Sequence, residues 1–334
     1  MEGELGAAWD ANTPRGGRIR RGRPVFVGRL AAGTGRGLAI LGCMMTKEQA
    51  PVIGASNEEQ AEGLCHTVSF TLGYNGAPFA GFARQAESHV KTVQGELERA
   101  LSLLYRREVK TVCAGRTDAG VHALGQVVSF DLTEDEMRAK TPRSLQRSMN
   151  ALVDDGISVS AVEERPFGFS ARFDARWREY HYHICTQSAR PVLVMPLVWH
   201  LGGVDLDVEA MRSAASRLVG EHDFKSFCMA ASAHIIEADG RSTCRNVMSC
   251  DVYSEMLAGT PVVTVRVVGN AFLHSMVRTM VGTLVEVGRG KRDAAWVDDV
   301  LAARDRSAAG QNAPAAGLTF WRVGYDDYRS DAVR

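Results

Sequence analysis

The chain has 334 residues, of which 45% are hydrophobic, so it can bury one large core or two modest ones. Its 39 basic and 39 acidic residues cancel, so net charge gives no support to a polyanionic partner, and a basic surface must come from uneven placement of charge. The seven cysteines form no CxxC pair, so neither a disulfide framework nor a thiolate metal site is indicated, and a cytoplasmic location fits. No apolar run approaches the ~20 residues that span a bilayer, so a membrane span is not indicated.

The first 63 residues differ in composition from the rest of the chain. They begin with the basic stretch TPRGGRIRRGRP, continue through a Gly/Ala-rich run and end near the acidic SNEEQAEG. We therefore expect residues 1–63 to be a disordered or weakly ordered extension. Acidic residues at Glu2, Glu4 and Asp10 argue against a transit peptide, and either Met44 or Met45 offers an alternative start.

From His66 the chain predicts a strand, a helix, a second strand through Val128, Phe130 and Leu132, and then two more helices. The segment HTVSFTL alternates apolar and polar residues, which is the pattern of a half-buried strand. The segment TVQGELERALSLLYRREV carries an apolar stripe at helical spacing and begins at Thr92, whose hydroxyl can cap a helix. A capping box from Thr133 to Glu136 begins a second helix, and Pro142 suits the first turn of a third.

The second half of the chain repeats this mixture. The segment REYHYHI alternates as a strand does, and CRNVMSCDVYSEM and PVVTVRVVG are typical of paired strands. Helices are predicted for DVEAMRSAASRLVG, with Asp207 as cap and Gly220 as stop, and for FLHSMVRTMVGTLVEVG and DAAWVDDVLAAR. Because strands and helices do not alternate strictly, the order favours an α+β fold over a doubly wound sheet, with two similar halves, 64–166 and 167–330, that meet at a cleft.

Three groups of residues can be interpreted either as structural or as functional. Asp118 stands in the small-residue turn of CAGRTDAGVHALGQV, where Asp and Gly usually serve only the turn. His274 and Arg278 are four positions apart on a predicted buried helix, so this basic pair must reach water, a ligand or a carboxylate such as Asp118. The segment ARFDARWREYHY mixes aromatic residues with three arginines, a combination that can bind phosphates and stack on bases: Arg172, Arg176 and Arg178.

Together these segments resemble the tRNA pseudouridine synthase A family, from about His66 to Tyr325. The most specific of them is AGRTDAGVHALGQV, and six others match in the same order: YNGAPFAGF, TVQGELERAL, ARFDARWREYHY, GEHDFKSFC, FLHSMVRTMVGTLVEVG and APAAGLTF. The departures are small. Phe82 stands where tryptophan is expected, Asn75 replaces a common aspartate, and DDG near Asp155 replaces the usual PxD.

The resemblance implies an isomerase that converts uridine to pseudouridine at positions 38, 39 and 40 of the tRNA anticodon stem-loop, without a cofactor or a metal. Asp118 would be the catalytic residue, acting either as a nucleophile or as a base toward C2′. Five further residues would bind the substrate. Arg116 and His122 would contact phosphates beside the flipped nucleotide, and Tyr180 would stack on the uracil. Arg278 would pair with Asp118 and keep it ionised, and Leu318 would close the apolar side of the pocket.

The implied fold has two α/β, ferredoxin-like halves around a continuous antiparallel sheet with a central catalytic cleft. The implied assembly is a homodimer in which one tRNA touches both subunits. Two competing classes are a non-catalytic RNA-binding module of the same fold and a hydrolase with Asp118 as its nucleophile. The joint presence of Asp118, Tyr180 and Arg278 argues against the first, and the lack of a visible second acid or base argues against the second.

Overall fold

The computed structural model of the protein describes residues 63–85 and 90–329. The expected extension, residues 1–63, lies outside this range except for its last residue, so its expected disorder stays a prediction. No helix in the described residues is long and apolar enough to cross a membrane. The six cysteines in this part of the chain are free thiols.

Ten strands of the described residues form one sheet. They are β1 (Leu64–Tyr74), β2 (Val112–Cys113), β3 (His122–Thr133), β4 (Ile157–Arg165), β5 (Trp177–Cys185), β6 (Trp199–His200), β7 (Gly220–Asp223), β8 (Cys244–Leu257), β9 (Thr260–Gly269) and β10 (Leu318–Gly324). The main path of the sheet is β4-β1-β3-β10-β5-β9-β8-β7, with β2 beside β3 and β6 beside β5. The pairs β3–β10 and β5–β6 are parallel and the others are antiparallel, so the sheet is mixed but mostly antiparallel.

Seven α-helices of the described residues pack on this sheet and on one another. They are α1 (Val93–Tyr105), α2 (Glu134–Ala139), α3 (Pro142–Leu152), α4 (Val208–Ser216), α5 (Ala230–Ala238), α6 (Met276–Gly288) and α7 (Trp296–Ala303). Helix α1 contacts α3, α3 contacts β4, and α4 contacts both β8 and α6. A continuous apolar core runs through these elements and includes Phe70, Leu97, Tyr182, Met280 and Leu284.

The predicted helix starts in the first half are confirmed, together with their caps. The Thr92 side chain accepts a hydrogen bond from the backbone N–H of Gly95 at the start of α1. Thr133 and Glu136 form the expected capping box of α2, and Pro142 occupies the first turn of α3. Each cap satisfies a backbone N–H that has no partner within the helix.

Two expectations about helix ends are wrong. Helix α6 begins at Met276, because Ser275 has a φ of 60°, in the left-handed region, and interrupts the chain just before the helix. His274 therefore lies in the preceding loop rather than four positions before Arg278 on one helix. Gly220 is not simply a helix stop, since α4 ends earlier and Gly220 begins β7, which pairs with β8.

Six elements were not predicted from the sequence: β2, β4, β6, β7, α5 and β10. Strand β10 matters most, because it pairs in parallel with β3 and antiparallel with β5. It thereby joins strands from early and late parts of the chain into one sheet. Its seven residues carry little period-two alternation, so only partners remote in the chain define it as a strand.

Candidate active site

A cavity of about 770 Å³ is bordered by the loop 114–121 and the segment 271–278. This volume suits a bound nucleotide. Among the described residues of its lining, Asp118 is the one acidic side chain, against six arginines: Arg84, Arg116, Arg172, Arg178, Arg245 and Arg278. A chain of zero net charge thus concentrates arginines around Asp118, which is the uneven placement that a polyanionic ligand requires.

The carboxylate of Asp118 is held through one of its oxygens. Oδ2 accepts hydrogen bonds from Oγ of Ser275 at 3.1 Å and from Nη1 of Arg278 at 2.9 Å. Nε2 of His274 lies 3.4 Å from the other oxygen, Oδ1. The Asp118 side chain remains 26% exposed, so a ligand in the cavity can reach it. Oδ1 is therefore the oxygen that is better placed to react.

The loop that carries Asp118 is fixed from the sheet below it. Nε2 of Gln126 donates to the carbonyl oxygen of Gly115 at 2.6 Å. The hydroxyls of Tyr74 and Thr117 are 2.8 Å apart and buried. These bonds satisfy polar groups that would otherwise be costly to bury, and they hold the residues just before Asp118 in one conformation.

Tyr180 presents a rigid ring to the cavity from β5. Its ring packs edge-to-face against Phe272, at 5.1 Å between centroids, and against Phe320, at 4.9 Å. Burial raises the pKa of Tyr180, so the hydroxyl stays protonated at neutral pH. Leu318, the first residue of β10, supplies an apolar part of the same lining. Together the two residues offer a flat surface and an apolar surface, which suits a pyrimidine base.

The structure places five of the six site residues expected from the sequence in the lining of this cavity: Asp118, Tyr180, Arg116, Arg278 and Leu318. His122 is buried elsewhere. Its Nδ1 accepts from the backbone N–H of Gly76 at 3.2 Å, and its Nε2 donates to the carbonyl oxygen of Pro196 at 3.0 Å. Burial lowers the pKa of His122, so the ring stays neutral. Both nitrogens are occupied, and this placement departs from the expected contact between His122 and a phosphate.

The three arginines of ARFDARWREYHY have three different environments. Arg172 is exposed and lines the cavity. Arg176 forms an ion pair with Asp327 and does not line it. Arg178 is buried and donates to backbone carbonyl groups. The expected shared role in phosphate binding is thus compatible with Arg172 but not with Arg178.

Several residues of the cavity were missed from the sequence. Ser275 stands inside a recognised segment, but its contact with Asp118 depends on the left-handed turn before α6. Arg245 and Ile236 come from a region in which no motif was noted. Oγ of Ser232, on α5, lies 2.8 Å from Nδ1 of His274 and so orients the imidazole beside Asp118. No local signal in the sequence indicates that α5 reaches the cavity.

Among the described residues, one group of side chains could hold a metal ion, and it lies outside the cavity lining: Cys65, His66 and Glu134. Nε2 of His66 is 2.6 Å from Glu134, and Nδ1 is 3.1 Å from Glu164. Hydrogen bonds to these two carboxylates raise the pKa of His66. The histidine is thus already held as an ion-pair partner at the surface.

A mixed α/β fold with an arginine-lined cavity around Asp118 is typical of an enzyme that binds a nucleic acid through arginines and acts on it with a carboxylate. Comparison with known proteins identifies the family of this enzyme. The chain belongs to the tRNA pseudouridine synthase family, whose model matches residues 73–174 and 214–326. These ranges include Asp118, Arg278 and Leu318, but they do not include Tyr180.

Three relatives that bear the name tRNA pseudouridine synthase A are similar over most of their length. The protein from Anoxybacillus flavithermus is 40% identical over 261 residues, which cover 78% of this chain and 99% of the relative. The protein from Brevibacillus brevis is 43% identical over 255 residues, 76% of this chain and 97% of the relative. The protein from Ralstonia nicotianae is 41% identical over 263 residues, 78% of this chain and 90% of the relative.

Proposed function

We propose that the protein isomerises uridine to pseudouridine at positions 38, 39 and 40 of the tRNA anticodon stem-loop, with Asp118 as the catalytic residue and no cofactor. The observation that carries the proposal is the pair of Asp118 and Arg278 inside the arginine-lined cavity of a chain that belongs to this family. In the reaction the bond from N1 to C1′ breaks and a bond from C5 to C1′ forms. A proton leaves C5 and N1 gains one, so atoms and electrons balance without a co-reactant.

Asp118 starts the reaction from the ribose side. Its free oxygen either attacks C1′ or removes the proton from C2′, and both routes need an ionised carboxylate. Arg278 and Ser275 hold the carboxylate through Oδ2 and leave Oδ1 directed at the ribose. Tyr180 and Leu318 border the space in which the detached uracil turns until C5 faces C1′.

The tRNA is bound by arginines at the mouth of the cavity. Arg84, Arg116 and Arg172 are exposed members of its lining and can contact phosphates. A base within the anticodon stem cannot reach Asp118 while it is stacked, so the target nucleotide must be flipped out of the stem. The phosphate contacts hold the backbone on either side of the flipped nucleotide.

We also propose that residues 64–166 and 167–330 form two ferredoxin-like halves with the cavity as the central cleft. In support, β1, β3 and β4 come from the first range, and β5, β7, β8 and β9 come from the second. Asp118 belongs to the first half and Arg278 to the second, so the proposed site needs both.

A homodimer in the cytoplasm is the proposed working form. We expect the second copy to cover the adjacent exposed side chains of Val192 (77%) and Leu193 (84%). The free thiols of the described residues fit a reducing compartment. Sedimentation velocity tests the dimer, and the variant Val192→Glu/Leu193→Glu should sediment as a monomer if these residues lie in the interface.

The activity is tested by incubating the purified protein with a tRNA transcript that carries tritium at C5 of uridine. Tritium is released only when C5 joins the sugar, so release from transcripts with uridine at positions 38 to 40 is expected. Transcripts with cytidine at these positions should release none, and this substitution is the control. Asp118→Asn should bind the same tRNA and release no tritium, because an amide is neither a strong nucleophile nor a base. Release by Asp118→Asn at the rate of the unaltered chain would refute the assignment.

A further inference from the structure

Arg178 is a buried charge whose five N–H donors all go to backbone carbonyl oxygens. The residue is 8% exposed. Nε and Nη2 donate to the oxygen of Ala114 at 3.2 and 3.0 Å. Nη1 donates to Ala175 at 2.9 Å and to Asn270 at 2.6 Å, and Nη2 also donates to Arg172 at 2.6 Å. An arginine has five such donors, so none is left for a phosphate.

These carbonyl groups belong to three segments that border the cavity. Ala114 begins the loop that carries Asp118. Asn270 begins the segment that carries Ser275 and leads to Arg278, the two residues that donate to Asp118. The third segment precedes β5. One guanidinium therefore connects the segment of the carboxylate with the segment of its hydrogen-bond donors.

Stability of the sheet alone does not explain a charge at this position. Removal of a guanidinium from water is costly, and burial lowers the pKa of Arg178 accordingly. An apolar side chain could fill the same space without that cost. An apolar side chain could not fix the distance and direction of four carbonyl groups on three segments, whereas the planar fork of an arginine does.

We propose that Arg178 is a positioning residue: it holds Ala114 and Asn270 at the separation at which Arg278 and Ser275 reach Asp118. The inference rests on the proposed function, because it concerns the geometry of that site. Arg178 does not bind tRNA. A lysine at this position keeps the charge, but its three donors on one nitrogen cannot bond four carbonyl groups on three segments.

The test compares Arg178→Lys and Arg178→Met with a matched control, Arg107→Lys. Arg107 is also partly buried, at 22% exposure, and also donates to backbone carbonyl groups, those of Glu108 and Asp131, but it does not line the cavity. Three quantities are measured for each variant: the melting temperature, the dissociation constant for tRNA at several salt concentrations, and the single-turnover rate of tritium release. Rates are taken where circular dichroism shows the variant folded, and Arg178→Gln replaces Arg178→Met if the latter does not fold.

Both Arg178 variants should lose about 100-fold in single-turnover rate, since a displacement on the order of 1 Å at a reacting group has that effect. Their dissociation constants should stay within about threefold of the unaltered chain, and the salt dependence should be unchanged, because no phosphate contact is lost. Arg107→Lys should lower the melting temperature by a similar amount and keep its rate. Loss of rate without loss of affinity separates positioning from a purely structural role.

Three results would overturn the inference. Arg178→Lys could keep its rate while Arg178→Met loses it, which would make the charge rather than the fork the useful property. The log–log slope of affinity against salt could fall in magnitude by about 0.9 in Arg178→Met, as expected for one lost phosphate contact. Both variants could also keep rates within about threefold of the unaltered chain. An unaltered chain that forms no pseudouridine would instead refute the proposed function, and this inference with it.

Discussion

Arg278 donates from Nη1 to Oδ2 of Asp118 across 2.9 Å, although 160 positions separate the two residues in the chain. Its Nε donates to the carbonyl oxygen of Ala313 at 2.7 Å, so the plane of the guanidinium is fixed from two sides. The Arg278 side chain is 16% exposed, which shields the pair from water. Removal of one partner from a shielded pair leaves the other charge uncompensated.

Arg278→Met should therefore lower the turnover of tRNA by about 100- to 1,000-fold, the effect of removing one preorganised electrostatic donor from an active site. Affinity for tRNA should change only a few-fold, because the exposed arginines of the cavity remain. The turnover of Arg278→Lys should lie between that of Arg278→Met and that of the unaltered chain, since lysine keeps the charge but loses the second hydrogen bond. Single-turnover tritium release and filter binding measure the two quantities.

Arg289→Met is the control for this prediction. Arg289 lies at the end of the same helix, is also partly buried and pairs with Glu286, but it does not line the cavity. Its replacement should lower stability and leave the rate unchanged. A rate within tenfold of the unaltered chain for Arg278→Met would contradict a supporting role for the pair.

His274 connects Asp118 to helix α5. Its Nδ1 is 2.8 Å from Oγ of Ser232 and its Nε2 is 3.4 Å from Oδ1 of Asp118. His274→Ala should lower the single-turnover rate by about tenfold, because the imidazole beside Oδ1 helps to position the reacting oxygen. Ser232→Ala should have a smaller effect, and that effect should vanish in the background of His274→Ala, because the serine acts through the histidine. Additive losses in the double variant would mean that Ser232 does not act on Asp118 through His274.

The sequence predicted features that depend on nearby residues. Thr92, Thr133 and Pro142 mark helix starts because a cap involves residues only three positions away. The period-two pattern located β1 and β5, and the family resemblance placed Asp118 and Arg278 in one site. A buried cation needs a compensating group, so even the pairing of these two residues could be expected before their distance was known.

Features that depend on remote contacts could not be predicted. Alternation along β5 puts Arg178 and Tyr180 on the same face, but only the fold brings four carbonyl groups to that arginine. In the same way His122 follows Arg116 in the same motif but points away from the cavity, toward Gly76 and Pro196. Strand β10 is defined by partners that are more than a hundred residues away.

The face of β5 opposite Tyr180 carries a buried ionised group, Glu179. Its carboxylate is 1% exposed and accepts from Arg266 and Arg322, each at 2.7 Å, and lies 2.8 Å from Nε2 of His181. Burial by itself raises the pKa of Glu179, but the hydrogen bonds from these three partners outweigh burial and lower it to about 2. The bonds tie β5 to β9 and β10, the two strands beside it.

Because the pKa of Glu179 is lower in the folded than in the unfolded chain, its ionised form stabilises the fold above pH 4.5. This contribution, on the order of 3 kcal/mol, is lost as the pH falls from 4.5 toward 2. Glu179→Gln should lower the free energy of unfolding by about 3 to 5 kcal/mol at pH 7, since Arg266, whose side chain is 12% exposed, and Arg322 then lose their buried anion. The difference between the two chains should shrink at pH 3, as measured by urea unfolding.

Glu163→Gln is the control for the effect of pH. Glu163 pairs with Arg165 but is 53% exposed, so its replacement should change the free energy of unfolding by less than about 1 kcal/mol at either pH. A difference between Glu179→Gln and the unaltered chain that is as large at pH 3 as at pH 7 would show that ionisation of Glu179 is not the source of the stabilisation.

Gly81 lies against the backbone of the loop that carries Asp118. Its φ is +102°, and a Cβ atom at this position would lie 3.1 Å from the carbonyl oxygen of Thr117 and 3.3 Å from the backbone nitrogen of Ala119. The next residue, Phe82, donates its N–H to the same oxygen of Thr117 at 3.0 Å. An alanine at position 81 must therefore move the catalytic loop as well as adopt an unfavourable φ.

Gly81→Ala should reduce the single-turnover rate by about 100-fold, because the loop that must give way carries the reacting carboxylate. Gly168→Ala separates this effect from backbone strain. Gly168 has a similar φ of +86°, but a Cβ there would meet nothing within 4 Å. Both variants should lose about 1 to 2 kcal/mol of stability in urea unfolding, and only Gly81→Ala should lose activity. Equal rates for the two variants would mean that the contact between Gly81 and the loop does not fix the position of Asp118.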